Sequence, residues 1–253
     1  MGLGRRKIRL EDQAAWVFNR MADVYAARPA YPAALVDAVA ALLPCGARRV
    51  LDVGAGIGHL ALPLAERGLE VTAVEPARAM LEVLQTQARE RSLSLTPLHA
   101  TAERLPLADE SADLVVVADA LHFLDAELSG REVARVLVPG GGLALLTCRL
   151  GDTPFMRGVV SLMEESAPRR LRAIHGASTQ FLKMACAEPL ARQVFTDESE
   201  VDVETLERIL RSISFIGPAM SDARFSEFSR RLRDLSSKPR WARRFELISA
   251  RRR

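Results

Sequence analysis

The sequence predicts an α/β fold, in which a mostly parallel sheet carries helices on both of its faces. Strand-like apolar runs alternate with helical patterns between residues 48 and 148, which is typical of parallel strands joined by right-handed crossovers. The apolar run 112–118 indicates a strand that is buried on both faces. In the stretch 50–58, an apolar strand ends in a glycine-rich turn at the start of a helix.

The individual elements follow from the same patterns, taken in chain order. Apolar residues at helical spacing predict a helix over 11–27, and Pro29 and Pro32 prevent its continuation. A second helix is predicted from Pro32 to about Leu43, and a turn over 139–142 is predicted before the fifth strand. The alternating region contains predicted strands at 49–53, 70–75, 94–99, 112–118 and 143–148, and predicted helices at 58–67, 76–91 and 128–137.

The alternation stops after Arg149, and the remainder predicts a cap and two further strands. We expect one domain over residues 1–253, because no repeat, low-complexity linker or second core is evident. Its core comprises about 32–150 and strands near 190–196 and 241–250. The helical cap comprises 1–31 and about 152–187, with 202–236 as a further candidate. Within the cap, helices are predicted at 153–186, with interruptions, and at 203–213 and 221–235.

Composition excludes several classes of protein. No apolar run approaches the roughly 20 residues of a membrane span, and the basic N-terminus lacks the apolar segment of a secretory signal. The three cysteines are scattered, which predicts reduced thiols, a cytoplasmic setting and no metal site. Basic clusters lie at 5–7 and 251–253, but no aromatic residues accompany them, so solvated termini are favoured over a nucleic-acid surface.

The glycine-rich turn carries the first functional signal. Gly54, Gly56 and Gly58 are spaced G-x-G-x-G, whereas the dinucleotide fingerprint is G-x-G-x-x-G. Asp52 precedes the turn, and its carboxylate suits a ligand with a cationic group better than a pyrophosphate. Residues 50–58 closely resemble the first motif of class I S-adenosylmethionine-dependent methyltransferases. The alternative is a turn whose glycines only permit tight packing.

The resemblance continues to residue 148 and implies a Rossmann-like, seven-stranded sheet that binds S-adenosylmethionine. Glu75 matches the acid that binds the ribose hydroxyls, and the family often has Asp where Thr101 stands. The turn 136–142 resembles the one before the family's fifth strand. The cofactor residues implied by the resemblance are Asp52, Gly54, Gly56, Gly58, Glu75, Pro76, Met80, Ala102, Glu103, Asp119 and Leu121, with Met80, Ala102 and Glu103 on the adenine side.

Residues of the acceptor side are less well defined. Tyr25 and the run 28–32 resemble the small-molecule branch that includes trans-aconitate and ubiquinone-type methyltransferases, so Tyr25, Arg28 and Tyr31 are candidates for a lid. A cap packed by amphipathic aromatics is the alternative. His122 is the candidate general base, or else it packs beside the cofactor. Arg149 and His175 are candidates for substrate contact, and simple solvation of Arg149 is the alternative.

These residues predict methyl transfer to a small molecule by in-line displacement, which needs a general base only if the nucleophile carries a proton. The run 117–120 lacks the Pro-Pro-aromatic pattern of enzymes that methylate amino groups of nucleic-acid bases. Three alternatives are an RNA or protein methyltransferase that uses the basic ends, a non-catalytic S-adenosylmethionine-binding module, and a nicotinamide oxidoreductase. The acceptor, the acceptor atom and the oligomeric state are left open.

Overall fold

A seven-stranded sheet organises the protein, for which a computed structural model describes residues 17–166, 174–214, 216–218, 220–236 and 238–253. The strand order is β3-β2-β1-β4-β5-β7-β6. The pairs among β1 to β5 are parallel, and β7 runs antiparallel to both β5 and β6. The predicted α/β class with a mostly parallel, Rossmann-like sheet is therefore confirmed. The strands are β1 (Arg49–Val53), β2 (Glu70–Val74), β3 (Thr96–Leu98), β4 (Ala112–Ala118), β5 (Leu137–Leu150), β6 (Ala187–Glu200) and β7 (Arg240–Arg252).

Helices cover both faces of the sheet. They are α1 (Ala22–Tyr25), α2 (Ala33–Ala40), α3 (Ala61–Glu66), α4 (Arg78–Glu90), α5 (Ala126–Val136), α6 (Pro154–Ser166), α7 (Ile174–Met184), α8 (Val203–Arg211) and α9 (Asp222–Leu235), with short 3-10 helices at Val17–Arg20 and Leu121–Phe123. Strand β4 shows why two faces are needed: Leu114 and Val116 pack with α2, α3 and α4, while Val115 and Val117 pack with α5 and α7. Successive residues of a strand point to opposite faces, so a strand apolar at nearly every position is buried on both.

Two smaller apolar clusters lie outside the two faces of the sheet. In one, α6, α8 and α9 pack around Trp241 at the start of β7. In the other, Met21 and Ala22 pack against Ile57 and Met80. The second cluster brings the N-terminal segment onto the glycine turn that follows β1 and onto α4. Among the helices in the described ranges, none has both the length and the apolar character that a membrane crossing requires.

Several predicted helices begin later or are shorter than expected, including those predicted over 32–43 and 58–67, which form α2 and α3. Of the helix predicted over 11–27, residues 11–16 lie outside the described ranges, and the rest forms the 3-10 turn and the four residues of α1. The helix predicted from Pro76 begins at Arg78. Its start is delayed because the Glu75 carboxylate accepts the Ala77 N–H at 2.8 Å and Ala77 keeps an extended backbone.

The turn predicted over 139–142 is part of β5. Ala112 pairs with Leu137, and Leu114 pairs with Gly142. A single β4 residue therefore lies opposite the four residues 138–141, which form an irregular bulge. Gly140 supplies a positive φ of 74° there. The strands predicted at 190–196 and 241–250 are also longer than expected. Antiparallel pairing between β6 and β7 satisfies their backbone groups even where the side chains are exposed and polar.

We expect Gly130→Ala to lower the free energy of unfolding by about 1–3 kcal/mol. A Cβ at Gly130 in α5 would lie 2.6 Å from the Met184 Cβ and 2.9 Å from the Phe181 carbonyl oxygen of α7. The matched control is Gly158→Ala in α6, where the nearest atom is the mobile Cδ2 of Leu235 at 3.3 Å. The control gains helix propensity, so chemical denaturation should show it unchanged or more stable. Equal losses in both variants would contradict the close α5–α7 packing.

Candidate functional site

Three carboxylates meet at the edge where the parallel strands end. Asp52 lies in β1, Glu75 directly follows β2, and Asp119 directly follows β4. The chain returns to this edge after each strand because carboxyl ends of parallel strands lie side by side. Burial raises the pKa of Asp52 and of Tyr31, and nearby charges raise them further: Glu75 acts on Asp52, and Asp119 and Asp52 act on Tyr31, so these groups lie within electrostatic reach of one another.

The three glycines of the turn have different roles. Gly54, Gly56 and Gly58 have φ values of 75°, 57° and 92°, which L side chains rarely adopt. A Cβ on Gly54 would lie 2.6 Å from the Ala120 Cβ, and one on Gly58 would lie 2.9 Å from the side chain of Leu62. A Cβ on Gly56 would meet only Tyr25, at 3.9 Å. The packing alternative therefore accounts for two glycines, while Gly56 leaves space for a ligand to approach the backbone.

Glu75 fixes the shape of the turn. Its carboxylate accepts the Gly56 N–H at 2.9 Å and the Ala77 N–H at 2.8 Å, so one side chain holds the glycine turn and the start of α4. Burial raises the pKa of Glu75 to about 7, and these two amide bonds oppose the rise. Each carboxylate oxygen retains a further lone pair for a hydroxyl donor.

Asp52 is the most unusual group of the site. Its side chain is 1% exposed, and neither carboxylate oxygen has a hydrogen-bond partner in the described part of the chain. Burial, followed by the charge of Glu75, raises the pKa of Asp52 to about 7. The Ala61 N–H opposes this rise, although it does not reach hydrogen-bond geometry. A buried carboxylate without a partner is a position where a ligand with N–H donors would be stabilised.

The residues expected on the adenine side lie at the same edge, and several of them have structural contacts. Met80 is buried between Ile57, Ala77 and the N-terminal Met21. The Pro76 carbonyl contacts His99 Nε2 at 3.1 Å. Ala102 and Leu121 are buried in the α5–α7 face of the core. Glu103 Oε1 accepts the Asp125 N–H at 2.9 Å and so fixes the entry to α5.

Tyr25, Arg28 and Tyr31 come together in a strap, residues 25–31, that crosses this edge. The Arg28 guanidinium stacks 4.1 Å from the Tyr25 ring centroid, and its Nη1 donates to the Tyr25 hydroxyl at 3.1 Å. Tyr31 packs edge-on against Phe245 at a ring distance of 5.6 Å. Burial raises the pKa of both tyrosines, and the charge of Asp119 raises them further. Both rings therefore remain hydroxyl donors at neutral pH.

Arg28 also joins the strap to the end of α8. Its Nε donates to the Ser212 Oγ at 2.7 Å, and its Nη2 donates to the Ser212 carbonyl at 2.8 Å. In the described ranges, no carboxylate lies within ion-pair distance of this half-buried cation. A guanidinium has five N–H groups, and the bonds to Ser212 and Tyr25 use three of them. The remaining two are available to an anion.

Arg243 anchors the strap, and the sequence interpretation missed it. This β7 residue is 7% exposed and forms a salt bridge with Asp197 of β6. Its two terminal nitrogens donate to the carbonyls of Pro29 and Ala30, each at 2.7 Å. Period-two alternation of Trp241, Arg243, Phe245 and Leu247 could have identified Arg243 as inward-facing.

His59 is a second residue that the sequence interpretation did not place in the site. Its half-buried ring lies 5.7 Å from the Tyr25 ring, beneath the strap. Burial lowers the pKa of His59 to about 4, and the charges of Arg28 and Arg243 lower it further, against a hydrogen bond to the backbone of Arg28. The imidazole is therefore neutral at physiological pH.

Several of the residues expected on the acceptor side lie near the ends of β4 and β5. Asp119 has a φ of 50°, its N–H donates to the Leu146 carbonyl at 2.8 Å, and its Oδ1 lies 3.5 Å from the Cys148 nitrogen. Burial and the charge of Asp119 raise the pKa of Cys148 to about 12, so the thiol is protonated. His122 lies in the following 3-10 helix, with its ring centroid 4.0 Å from that of Phe123.

Arg149 and His175 were the remaining acceptor-side candidates. Arg149 is exposed and pairs across the sheet with Arg244. His175 belongs to α7, and its side chain lies outside the described part of the structure. A depression of about 650 Å³ lies at the opposite edge of the sheet, lined by residues that include Arg49, Glu70 and Ser92. None of the predicted site residues lines it, so it is separate from the candidate site.

Comparison with known proteins identifies methyltransferase relatives over part or most of the chain. Residues 51–145 match the family described as "Methyltransferase domain". An uncharacterized methyltransferase of Mycobacterium tuberculosis is 50% identical over 119 residues, which cover 47% of this chain and 46% of that protein. The chain thus aligns with about half the length of that relative. An uncharacterized methyltransferase of Schizosaccharomyces pombe is 29% identical over 199 residues, or 78% of this chain and 77% of that protein.

Solved structures extend the similarity of fold to most of the chain. A putative type II methyltransferase from Anaeromyxobacter dehalogenans has a TM-score of 0.64 at 23% identity and covers 89% of this chain and 97% of its own. A geranyl diphosphate methyltransferase in complex with SAM has a TM-score of 0.54 at 15% identity, over 87% and 85% of the two chains. The cyclase SpnF has a TM-score of 0.58 at 19% identity, over 96% and 94%. At these identities the similarity concerns the fold.

We expect Asp52→Asn to raise the free energy of unfolding of the ligand-free protein by about 1–3 kcal/mol at pH 8. The folded Asp52 keeps its proton to about pH 7, whereas the unfolded one releases it near its ordinary value of 3.8. The folded state therefore binds more protons between those pH values, and stability falls as pH rises through this window. The gain should shrink toward pH 5 in denaturation measured across pH.

Asp113→Asn is the matched control for this prediction. The Asp113 carboxylate accepts hydrogen bonds from the Arg49 side chain and from the Arg48 and Arg49 amides, which hold its pKa below the ordinary value. Stability from this group is present at neutral pH and is lost as pH falls through the lowered pKa. The control should therefore be destabilised at pH 8. A destabilised Asp52→Asn at pH 8 would contradict the unpartnered carboxylate.

Proposed function

We propose that this protein is an S-adenosylmethionine-dependent methyltransferase that acts on a small molecule. The observation that carries the proposal is the Asp52 carboxylate, buried and unpartnered in the described ranges, beside a glycine turn that leaves space at Gly56. The match of residues 51–145 to the methyltransferase domain family supports the same conclusion. We also propose that the chain forms one domain, with the strap and α6 to α9 as its helical cap.

The residues of the site fit the chemical groups of the proposed cofactor. S-adenosylmethionine supplies a methyl group on a positively charged sulfur, and it also carries an ammonium, a carboxylate and a ribose. Asp52 would hold the ammonium, and Glu75 would accept the ribose hydroxyls while it keeps the turn in place. Arg28 has two unused N–H groups above the turn and would hold the carboxylate. No nucleotide phosphate is needed to account for these groups.

The remaining residues would form the walls of the cofactor site. Gly54 and Gly58 let the turn pack against Ala120 and Leu62, and Gly56 would let its backbone approach the ligand. On the adenine side, the proposed residues are Pro76, Met80, Ala102, Glu103 and Leu121. Because Met80 and Glu103 also pack within the protein, their proposed part is to shape the wall.

Protein groups around the ends of β4 and β5 would orient the acceptor. Methyl transfer needs the nucleophile aligned with the methyl group, and positioning of this kind can contribute up to roughly 7–11 kcal/mol. Asp119 and the hydroxyls of Tyr25 and Tyr31 are polar groups on the strap side of this edge. His122 would accept a proton from an acceptor that carries one. The strap would exclude water.

Two alternatives are testable against this proposal. The fold neighbour named as a cyclase shows that the fold also occurs in proteins named for another reaction, so formation of S-adenosylhomocysteine is the discriminating measurement. A nucleic-acid substrate is less well supported than a small molecule. The C-terminal Arg251 and Arg252 donate to the backbone carbonyls of Gly140 and Leu137, and Arg253 forms a salt bridge with Glu188. They are partnered within the protein.

We expect Asp52→Ala and Glu75→Ala each to abolish S-adenosylmethionine binding in calorimetry. Each change removes a carboxylate that the proposal assigns to the ligand, and Glu75→Ala also frees the turn. Glu70→Ala is the control, because Glu70 is exposed at the other end of β2. It should bind like the wild type. Unchanged affinity in both site variants would overturn the site assignment.

We also expect the affinity for S-adenosylmethionine to be about tenfold weaker at pH 6 than at pH 8. Asp52 and Glu75 have pKa values of about 7 in the ligand-free protein, and the proposed contacts to the ammonium and ribose favour their ionised forms. Below that pH, binding must therefore displace a proton. The measurement is calorimetry across pH, with the Asp52→Asn profile as the comparison. A flat wild-type profile would contradict the role of these carboxylates.

A further inference from the structure

Two arginines lie directly opposite each other on β5 and β7, beyond the edge where the parallel strands end. Arg149 of β5 and Arg244 of β7 are partners in the antiparallel register, and both are exposed. Directly opposed residues on such strands have their Cα atoms about 4.5–5.5 Å apart, and their side chains point to the same face. Two like charges are therefore held side by side by the backbone.

Nothing in the described ranges neutralises this pair. The nearest acid on the same face of β7, Glu246, is engaged with Arg192 of β6 at 2.7 Å. The other described arginines of β7 all have partners: Arg240 has Glu198 and Glu200, Arg243 has Asp197, Arg251 has the Gly140 carbonyl, and Arg252 has the Leu137 carbonyl. Directly opposed like charges destabilise a sheet. An anion bound between them would remove that repulsion.

The pair lies beyond the edge where the candidate site is built. The last parallel partners are Ala118 and Leu146, and β5 then continues alongside β7 to Leu150. Arg149 is three residues past Leu146, which is about 10 Å along the strand. It directly follows Cys148, whose N–H lies 3.5 Å from Asp119 Oδ1. Arg149 therefore lies on the strand next to the proposed acceptor side, and Arg244 lies directly opposite it on β7.

We propose that Arg149 and Arg244 bind an anionic group, a carboxylate or a phosphate, of the methyl acceptor. The inference rests on the proposed function and adds to it the chemical class of the acceptor. Guanidinium groups match the geometry of both anions and bind them through paired hydrogen bonds. A group held there would anchor the acceptor at one end, while its nucleophile lies at the edge near Asp119.

The test measures anion binding by calorimetry at low ionic strength, with S-adenosylhomocysteine present. Citrate probes for a carboxylate site and inorganic pyrophosphate for a phosphate site. We expect wild type to bind at least one of them, with affinity about tenfold weaker or worse in Arg149→Gln and in Arg244→Gln. The double variant should lose little more than either single one, because both side chains serve one site. The matched control is Arg157→Gln, an exposed arginine that is paired with Asp152.

Stability provides a second readout that solvated, independent arginines would not give. Removal of either charge relieves the repulsion, so each single variant should have a Tm higher by about 1–3 °C without anions. Citrate or pyrophosphate should raise the Tm of the wild type but not of these variants. The Arg157→Gln control should respond to anions like the wild type.

Any of three results would overturn the inference. The wild type and the double variant could bind the anions equally well, Arg157→Gln could lose as much anion binding as the Arg149 and Arg244 variants, or the wild type could bind neither probe. S-adenosylmethionine affinity, measured on the same proteins, separates the two proposals. If the arginine variants lose anion binding but keep their affinity for S-adenosylmethionine, the result supports both the arginine anion site and the proposed function. Absence of cofactor binding in wild type would overturn the proposed function, while the anion data would still decide for or against the arginine site.

Discussion

The buried carboxylate of Asp52 is the constraint on which the rest of the site depends. An ionised group in such a position is costly unless a partner compensates it, and in the described ranges no hydrogen bond does so. The charge of Glu75, itself buried, adds to the cost. The fold tolerates both because β1 and β2 are held by neighbours on each side and by apolar residues on both faces. The two buried carboxylates thus lower the stability of the ligand-free fold, and binding of the proposed ligand would restore that stability.

Covering this edge requires both ends of the chain. The strap lies over the glycine turn, and several of the contacts that hold it there come from residues late in the chain. Arg243, from the last strand, binds the carbonyls of Pro29 and Ala30, and its charge is balanced by Asp197. Arg28 ties the strap to Ser212 at the end of α8. The strap is therefore positioned by residues about 180 to 210 places later in the sequence. A change in the β6–β7 pair would be transmitted to the proposed cofactor site.

The parallel half of the sheet could be predicted from sequence because the patterns that specify each strand lie within short stretches of the chain. Strands such as β4 are apolar runs bounded by glycine or polar turns, and the spacing of Asp52 and Glu75 around the glycines specifies where each strand ends. Arg243 could not be placed in the site, because its partners are far away in sequence. The length of β6 was underestimated for a different reason. Its side chains are mostly exposed and mixed in polarity, so only its pairing with β7 makes it a strand.

The proposed sites for the methyl donor and for the acceptor's anionic group lie on different halves of the sheet. The donor site is on the parallel half, and the arginine pair is on the antiparallel half. The family match ends at residue 145, and the last pair between β4 and β5 is Ala118 with Leu146. The family match thus ends close to the last parallel pair of β4 and β5, whereas similarity of fold continues over most of the chain. Beyond that point β5 is paired with β7 alone and carries Cys148 and Arg149 past the common edge. The residues proposed for the methyl donor, Asp52 and Glu75, belong to the parallel half, whereas Arg149 and Arg244 lie on the antiparallel pair β5 and β7. There, the exposed Arg149 and Arg244 form a pair of positive charges that an anionic acceptor would neutralise.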